Sequence, residues 1–395
     1  MGVILRKHQG EMHLTKISKL SLVGVLVALS SSFIITIWAV YLDSFFHSIS
    51  IVGLVSSMLT LIGIATYFIS IPIIEKNNKA KIFTYTLLVY AIAYLAFIIT
   101  KNVWLFLLVA VITTITGTLR VTSFGLIIKD SSSKTKLSRN EGLIYTVLNL
   151  AFVVGPLAAG YILSEHGSSF VFALASMFIF LAFLMFKFES LNDPTKTKKI
   201  DKNLIKNFFA FFKKKERVYA YIIGGGVSFW WSLAYLFMPL YIVRNGLSEL
   251  WIGYFLFALP IPLIILEYKF SNRADKHGFK KFFKIGFIIP CIGALICFFM
   301  VENVFAVLGV LVVSSIGLAM LEPTTEAYFF KISTRKEEQR FYGPYNTRLE
   351  VAGFFGKAIP SVFLLFVPFK YIFLLFSAVM FLMFLISFKI KEVKN

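Results

Sequence analysis

Residues 75–81 read Glu-Lys-Asn-Asn-Lys-Ala-Lys, and residues 275–281 read Asp-Lys-His-Gly-Phe-Lys-Lys: an acid followed by several bases at matching offsets, 200 residues apart. The same shift pairs Tyr41 with Tyr241 and Gly53 with Gly253. One residue more of shift pairs Asn102-Val103 with Asn303-Val304, Arg139 with Arg340, Gly142 with Gly343 and Gly155 with Gly356. A register held through loops as well as apolar runs is not a by-product of hydrophobic composition. The chain therefore reads as a duplication.

Between these loops lie apolar runs long enough to span a hydrocarbon core as helix, which takes roughly 20 residues because lipid offers unpaired backbone groups no partner. They fall near 20–42, 51–74, 82–100, 103–128, 141–163, 169–187, 218–243, 250–270, 282–301, 304–328, 345–366 and 369–388. The expected fold class is thus all-α and integral to the membrane, with twelve transmembrane helices in two pseudo-symmetric six-helix halves, residues 1–187 and 218–395. A basic cytoplasmic linker, 188–217, joins them, and its alternation of lysines with Leu204, Ile205, Phe208, Phe209, Phe211 and Phe212 fits either a surface-lying amphipathic helix or a solvated connector.

Composition says the same. The 395 residues are 58% hydrophobic with a mean hydropathy of +0.81, yet carry a formal net charge of +20. With the N-terminus inside, only Lys101, Arg244 and Lys370 fall in outer segments or at an outer span end, and Arg120 and Lys357 deep inside spans; every other lysine and arginine lies in a cytoplasmic segment or at the cytoplasmic end of a span. This is the positive-inside pattern, and it predicts a multi-pass protein of the cell (cytoplasmic) membrane with both termini cytoplasmic. It also gives the basic charge a topological meaning, so no nucleic-acid partner is expected.

Several function classes are disfavoured. Cys291 and Cys297 share one apolar run at a spacing that does not bring their side chains together, and the five histidines are scattered over termini and loops. No cofactor or metal is expected. Gly353-Phe-Phe-Gly356-Lys357 lacks the spacing of a nucleotide-binding loop, and no Ser/His/Asp set gathers near an interface, so an enzyme is not expected.

Three patterns resemble the major facilitator superfamily over nearly the whole chain. The first is the charged loop after spans 2 and 8, with Glu75, Lys76 and Lys79 in one copy and Asp275, Lys276, Gly278, Lys280 and Lys281 in the other; both lack the leading glycine, having Ile71 and Ser271. The second is Arg120 with Gly125 in span 4, without the usual glutamine. The third, in span 5, is Gly142 through Gly155-Pro156-Leu157-Ala158-Ala159-Gly160, similar to the antiporter motif with Ala151 and Ala159 in place of glycines. The resemblance implies the two-half transporter fold, gating by the charged loops and a monomer as the working unit, and it points towards the drug/proton antiporter branch.

Within the spans, the deep charges define the expected site. Arg120 and Glu322 each lie nine residues from a cytoplasmic lysine, about 13 Å inside at ~1.5 Å per residue. An ion at that depth needs a cavity or a partner. Lys357 is also near the midplane, with Glu350 seven residues earlier on the same face. Glu322 is read as the proton-coupling carboxyl, against the alternative of a static ion pair joining spans 4, 10 and 11. Glu326 lies nearer the cytoplasmic surface, and Trp38, Trp230 and Trp231 are aromatic surfaces for a ring-bearing solute or for lipid packing. The expected function is secondary active transport of a small organic solute, with protons and the bilayer as further partners: proton-coupled efflux of amphipathic compounds. The alternatives are proton-linked or facilitated uptake of an organic anion or sugar, and a membrane-embedded receptor or scaffold.

Overall fold

The computed structural model describes residues 5–8, 11–14, 16–131, 137–188 and 204–392. A short antiparallel hairpin, β1 (Leu5–His8) with β2 (Glu11–Leu14), opens the chain, a strand pair that the apolar pattern does not announce. All other elements are helical: α1 (Lys16–Phe46), α2 (Ile49–Lys76), α3 (Lys79–Ile99), α4 (Val103–Ser131), α5 (Leu137–Phe188), α6 (Leu204–Phe211), α7 (Lys215–Ser232), α8 (Met238–Arg244), α9 (Leu250–Ala258), α10 (Ile261–His277), α11 (Phe279–Phe299), α12 (Val304–Ile332), α13 (Arg335–Phe363) and α14 (Tyr371–Ser387). Among the described residues, nine helices are long and apolar enough to cross a membrane.

Helix ends are set by local chemistry. Asn78 accepts from the amides of Ala80 and Lys81 at the start of α3, Asn102 from that of Trp104 at the start of α4, and Asn303 from that of Ala306 at the start of α12. Each asparagine satisfies donors that the first turn leaves open. At α13 the hydroxyl of Thr334 accepts from the Glu337 amide while Glu337 accepts from the Thr334 amide, a reciprocal capping box. Inside α5, 52 residues long, Gly167 has φ +78° and ψ 174°, so this element is two helices meeting at a glycine. Between α7 and α8 the five residues Leu233–Phe237 form a π-helical turn just before Pro239. Single π turns in helices recur at functional sites.

The chain forms two compact units: residues 1–41 with 62–200, and residues 42–61 with 201–395. In the first, α3 packs on α4 and α5 around an aromatic cluster in which Trp38, Tyr41, Phe97 and Phe106 meet, with Phe172 against Tyr41 and Phe97. In the second, α11 packs on α12 and α14, and α7 on α13 and α12. The two units repeat particular contacts. Tyr41 donates to the carbonyl of Phe97 at the end of α3, and Tyr241 to that of Val301 just past α11. Gly155 of α5 abuts Ser32 of α1, and Gly356 of α13 abuts Ser232 of α7.

The three glycines Gly224, Gly225 and Gly226 serve close packing. A Cβ at Gly224 would meet Arg348, one at Gly225 would meet Ala352, and one at Gly226 would meet Met383 and Phe287. The short helix α6 lies in the stretch read as linker. Phe211 is fully buried there, ringed by Phe329, Phe341 and Tyr345, while Phe209 is 68% exposed. Within that stretch residues 204–211 are helical, and the helix packs Phe211 against α12 and α13.

Candidate functional site

In the first unit, α4 carries Arg120 to a position only 8% exposed. Its Nη2 donates to the Ser31 hydroxyl of α1 at 3.3 Å, and its guanidinium carbon stands 4.3 Å from the ring centre of Tyr90 on α3. Tyr90 is itself fixed by donating to the Thr113 carbonyl at 2.7 Å, and Gly117 leaves the room that its hydroxyl occupies. Nε and Nη1 of Arg120 have no hydrogen-bond partner among the described residues. A guanidinium never loses its charge in a protein, and unpaired donors in a buried place strongly favour an incoming anion.

In the second unit, Glu322 on α12 accepts a hydrogen bond from Nε1 of Trp231 on α7 at 2.6 Å. The indole stacks on Tyr235 in the π-helical turn, with centroids 5.4 Å apart. No ion pair to Glu322 occurs among the described residues of this unit. Lys357 of α13 donates from Nζ to the Thr60 hydroxyl of α2 at 2.8 Å. Glu350 is exposed and forms no ion pair with Lys357 among the described residues, so the two are neighbours on one helix face without a bridge. Glu326 accepts from the Tyr342 hydroxyl at 2.6 Å.

The tryptophans part company. Trp231 touches the carboxyl, whereas Trp230, one residue earlier, is 1% exposed and turns its edge to Phe376 in the core. Trp38 belongs to the aromatic cluster of the first unit. Of the span-5 motif, Gly155, Pro156 and Gly160 are buried in α5, and the surroundings of Gly142 lie outside the described residues. Of the charged loops, the side chains of Glu75, Lys76 and Asp275 also lie outside them. Lys79 is buried in the first turn of α3, Lys276 is exposed, and Lys280 sits in the first turn of α11. Gly278 has φ +91°, a conformation that favours glycine, and Glu392 crowds the place where a Cβ would stand.

One buried cation escapes a reading by charge alone. Arg348 on α13 is 5% exposed, stacked at 3.8 Å over Tyr345 and bonded through Nη1 to Asn346 at 2.8 Å. Along the sequence it stands at the cytoplasmic end of the run 345–366, next to the loop charges. The signal that would have found it is the glycine run of α7, which leaves a groove where this side chain lies.

Solved structures of the same fold are numerous. A POT family transporter in complex with 5-aminolevulinic acid has a TM-score of 0.76 and 12% identity, covering 94% of this chain and 95% of its own. One in complex with a thioalcohol-conjugated peptide has a TM-score of 0.76 and 12% identity, with 96% of each chain covered. The peptide transporter POT in complex with sulfate has a TM-score of 0.73 and 12% identity, covering 98% of this chain and 95% of its own. At that identity the likeness is one of fold. No curated protein matches the chain. The profile of the Major Facilitator Superfamily matches residues 20–273 and again 261–395, so with apolar helices throughout and the match running from the first span to the last residue, the chain belongs to the major facilitator superfamily.

Proposed function

We propose that this protein is a twelve-span secondary transporter that couples the movement of an acid-bearing small organic solute to protons. The observation that carries this reading is the environment of Glu322: a mid-helix carboxyl whose hydrogen-bond donor is a neutral indole. A carboxylate locked to a cation is a structural pair, whereas one held by a neutral donor is free to exchange a proton as the site opens to either side. Arg120, with two donor groups that have no partner among the described residues, is the place for the solute's anionic group, and Lys357, which donates to Thr60, is a second.

The solute moves by alternating access, as in other repeat-built carriers, in the cytoplasmic membrane with both chain ends inside and a monomer as the working unit. Direction follows the span-5 motif, Gly155-Pro156 with Gly160, which favours efflux. Uptake of an organic anion is the second reading, favoured by two deep cations against one deep acid.

The test uses the purified protein in liposomes enclosing a pH-sensitive dye, challenged with pools of short peptides, organic acids and cationic drugs. Substrate-dependent proton movement that disappears in Glu322→Gln supports the proposal. Solute movement without protons makes the protein a facilitator, and no movement of any pool favours a receptor or scaffold.

A further inference from the structure

A cavity of about 350 Å³ lies between the end of α6, the start of α7 and the first turns of α13, well away from Glu322 along α12 and α13. Arg217 forms one wall, and each of its three nitrogens is already engaged: Nε donates to the Phe211 carbonyl and Nη2 to that of Ala210, each at 3.0 Å, and Nη1 to Glu337 at 3.3 Å. Glu337 is the acid among the lining residues. It also lies 3.7 Å from Lys214, and its second oxygen accepts from Thr334. Its charge is therefore taken up by Arg217, Lys214 and the helix cap.

The remaining cations have no such compensation. Lys213 and Lys336 line the cavity and are exposed, and their side chains make no hydrogen bond or ion pair among the described residues. Arg340 gives Nε to Asn207 at 2.7 Å. The ring of Phe341 supports both Arg340, at 5.0 Å, and Arg217, at 4.1 Å. Three like charges around one space repel each other, and an anion with several acceptor oxygens relieves that repulsion at once. Beside them, α6 turns Phe209 outward, and apolar rings next to lysine heads mark a segment that sits at a headgroup boundary.

We propose that this cavity binds a phosphate group through Lys213, Lys336 and Arg340, the phosphate being the headgroup of an anionic phospholipid. The bound headgroup would bridge α6 to α13 and so tie the connecting segment to the second unit. The proposal does not depend on the transported solute, and its readout is binding, so it stands or falls apart from the function proposed above.

The test is native mass spectrometry of the full chain in detergent loaded with equal amounts of phosphatidylglycerol and phosphatidylcholine. The wild type should retain phosphatidylglycerol preferentially, and Lys213→Gln with Lys336→Gln should reduce that excess roughly tenfold. Lys389→Gln with Lys391→Gln removes the same charge from another exposed stretch and should leave it unchanged. A second arm measures thermal unfolding with inorganic phosphate at constant ionic strength. Stabilisation by phosphate that the Lys213/Lys336 variant loses, without a lipid preference, keeps the phosphate site and assigns it to a soluble ligand. Lipid excess and phosphate response that are equal in the wild type and that variant, or equally reduced by both pairs of substitutions, overturn the proposal.

Discussion

Trp231 on α7 gives its indole N–H to the Glu322 carboxyl on α12 at 2.6 Å, joining the two helices within the second unit. Trp231→Phe keeps the ring and its stack on Tyr235 but removes the donor. Substrate-driven proton movement in liposomes should slow about tenfold, the worth of one hydrogen bond to a charged group. Glu322→Gln should abolish it. Full coupling retained in both variants would assign the pair to structure alone.

Arg120 makes an opposed prediction for stability and transport. Its burial with Nε and Nη1 lacking a partner among the described residues costs folding free energy, and replacing a buried charge by an apolar chain of similar volume is often neutral or stabilising. Arg120→Met should therefore melt at the same temperature as the wild type or higher while losing flux of acidic solutes. Arg120→Lys, which keeps a charge without the planar fork over Tyr90, should fall between. A variant that loses stability and flux together would give Arg120 a structural role instead.

The glycine–serine contacts offer a paired test. Gly155→Ala would drive its methyl into Ser32, and Gly356→Ala would bring it within 2.6 Å of the Ser232 hydroxyl and 3.0 Å of the Phe229 carbonyl. Each should destabilise by about 1–3 kcal/mol, read as thermal unfolding in detergent. Adding Ser32→Gly should restore much of the loss at Gly155. Adding Ser232→Ala should restore only part at Gly356, because the Phe229 carbonyl remains.

The cap of α13 is pH-dependent with a definite sign. The Thr334 amide, then its hydroxyl and the charges of Lys214 and Arg217, holds the Glu337 carboxyl below the usual carboxylate range. Its contribution is complete above the unfolded value, roughly 4.3, and is lost as the pH falls through the lower folded value. Hydrogen exchange over residues 335–340 should be slow at neutral pH, faster in acid, and fast throughout in Glu337→Gln. A Glu337→Gln profile matching the wild type at neutral pH would show that the carboxylate charge adds nothing to the cap.

Much of the architecture was legible in the residues because lipid imposes a simple rule: long apolar runs, polar breaks and basic loops on one side. The duplicated register was legible as well, and its matched positions do matched jobs. Asn102 and Asn303 cap the fourth helix of each repeat, α4 and α12, and Tyr41 and Tyr241 close the third. Deep charges such as Arg120 and Glu322 stood out because an ion inside an apolar run is costly wherever it points.

What the sequence did not reveal was direction around each helix. In a membrane span the lipid-facing and core-facing sides are both apolar, so periodicity no longer separates them. Trp230 and Trp231 are adjacent and chemically identical, yet about 100° of helical rotation sends one into the core against Phe376 and the other to Glu322. Along the sequence Arg348 is one more cation at the cytoplasmic end of a span, yet the groove above Gly224 encloses it, and Phe211 and Phe209, two residues apart, end buried and exposed. The sequence by itself determined how many apolar runs there are, which ends are basic and which residues are duplicated, since these follow from transfer free energies summed along the chain. Only the tertiary structure decided which partner each buried polar group meets, because that depends on which face a neighbouring helix covers.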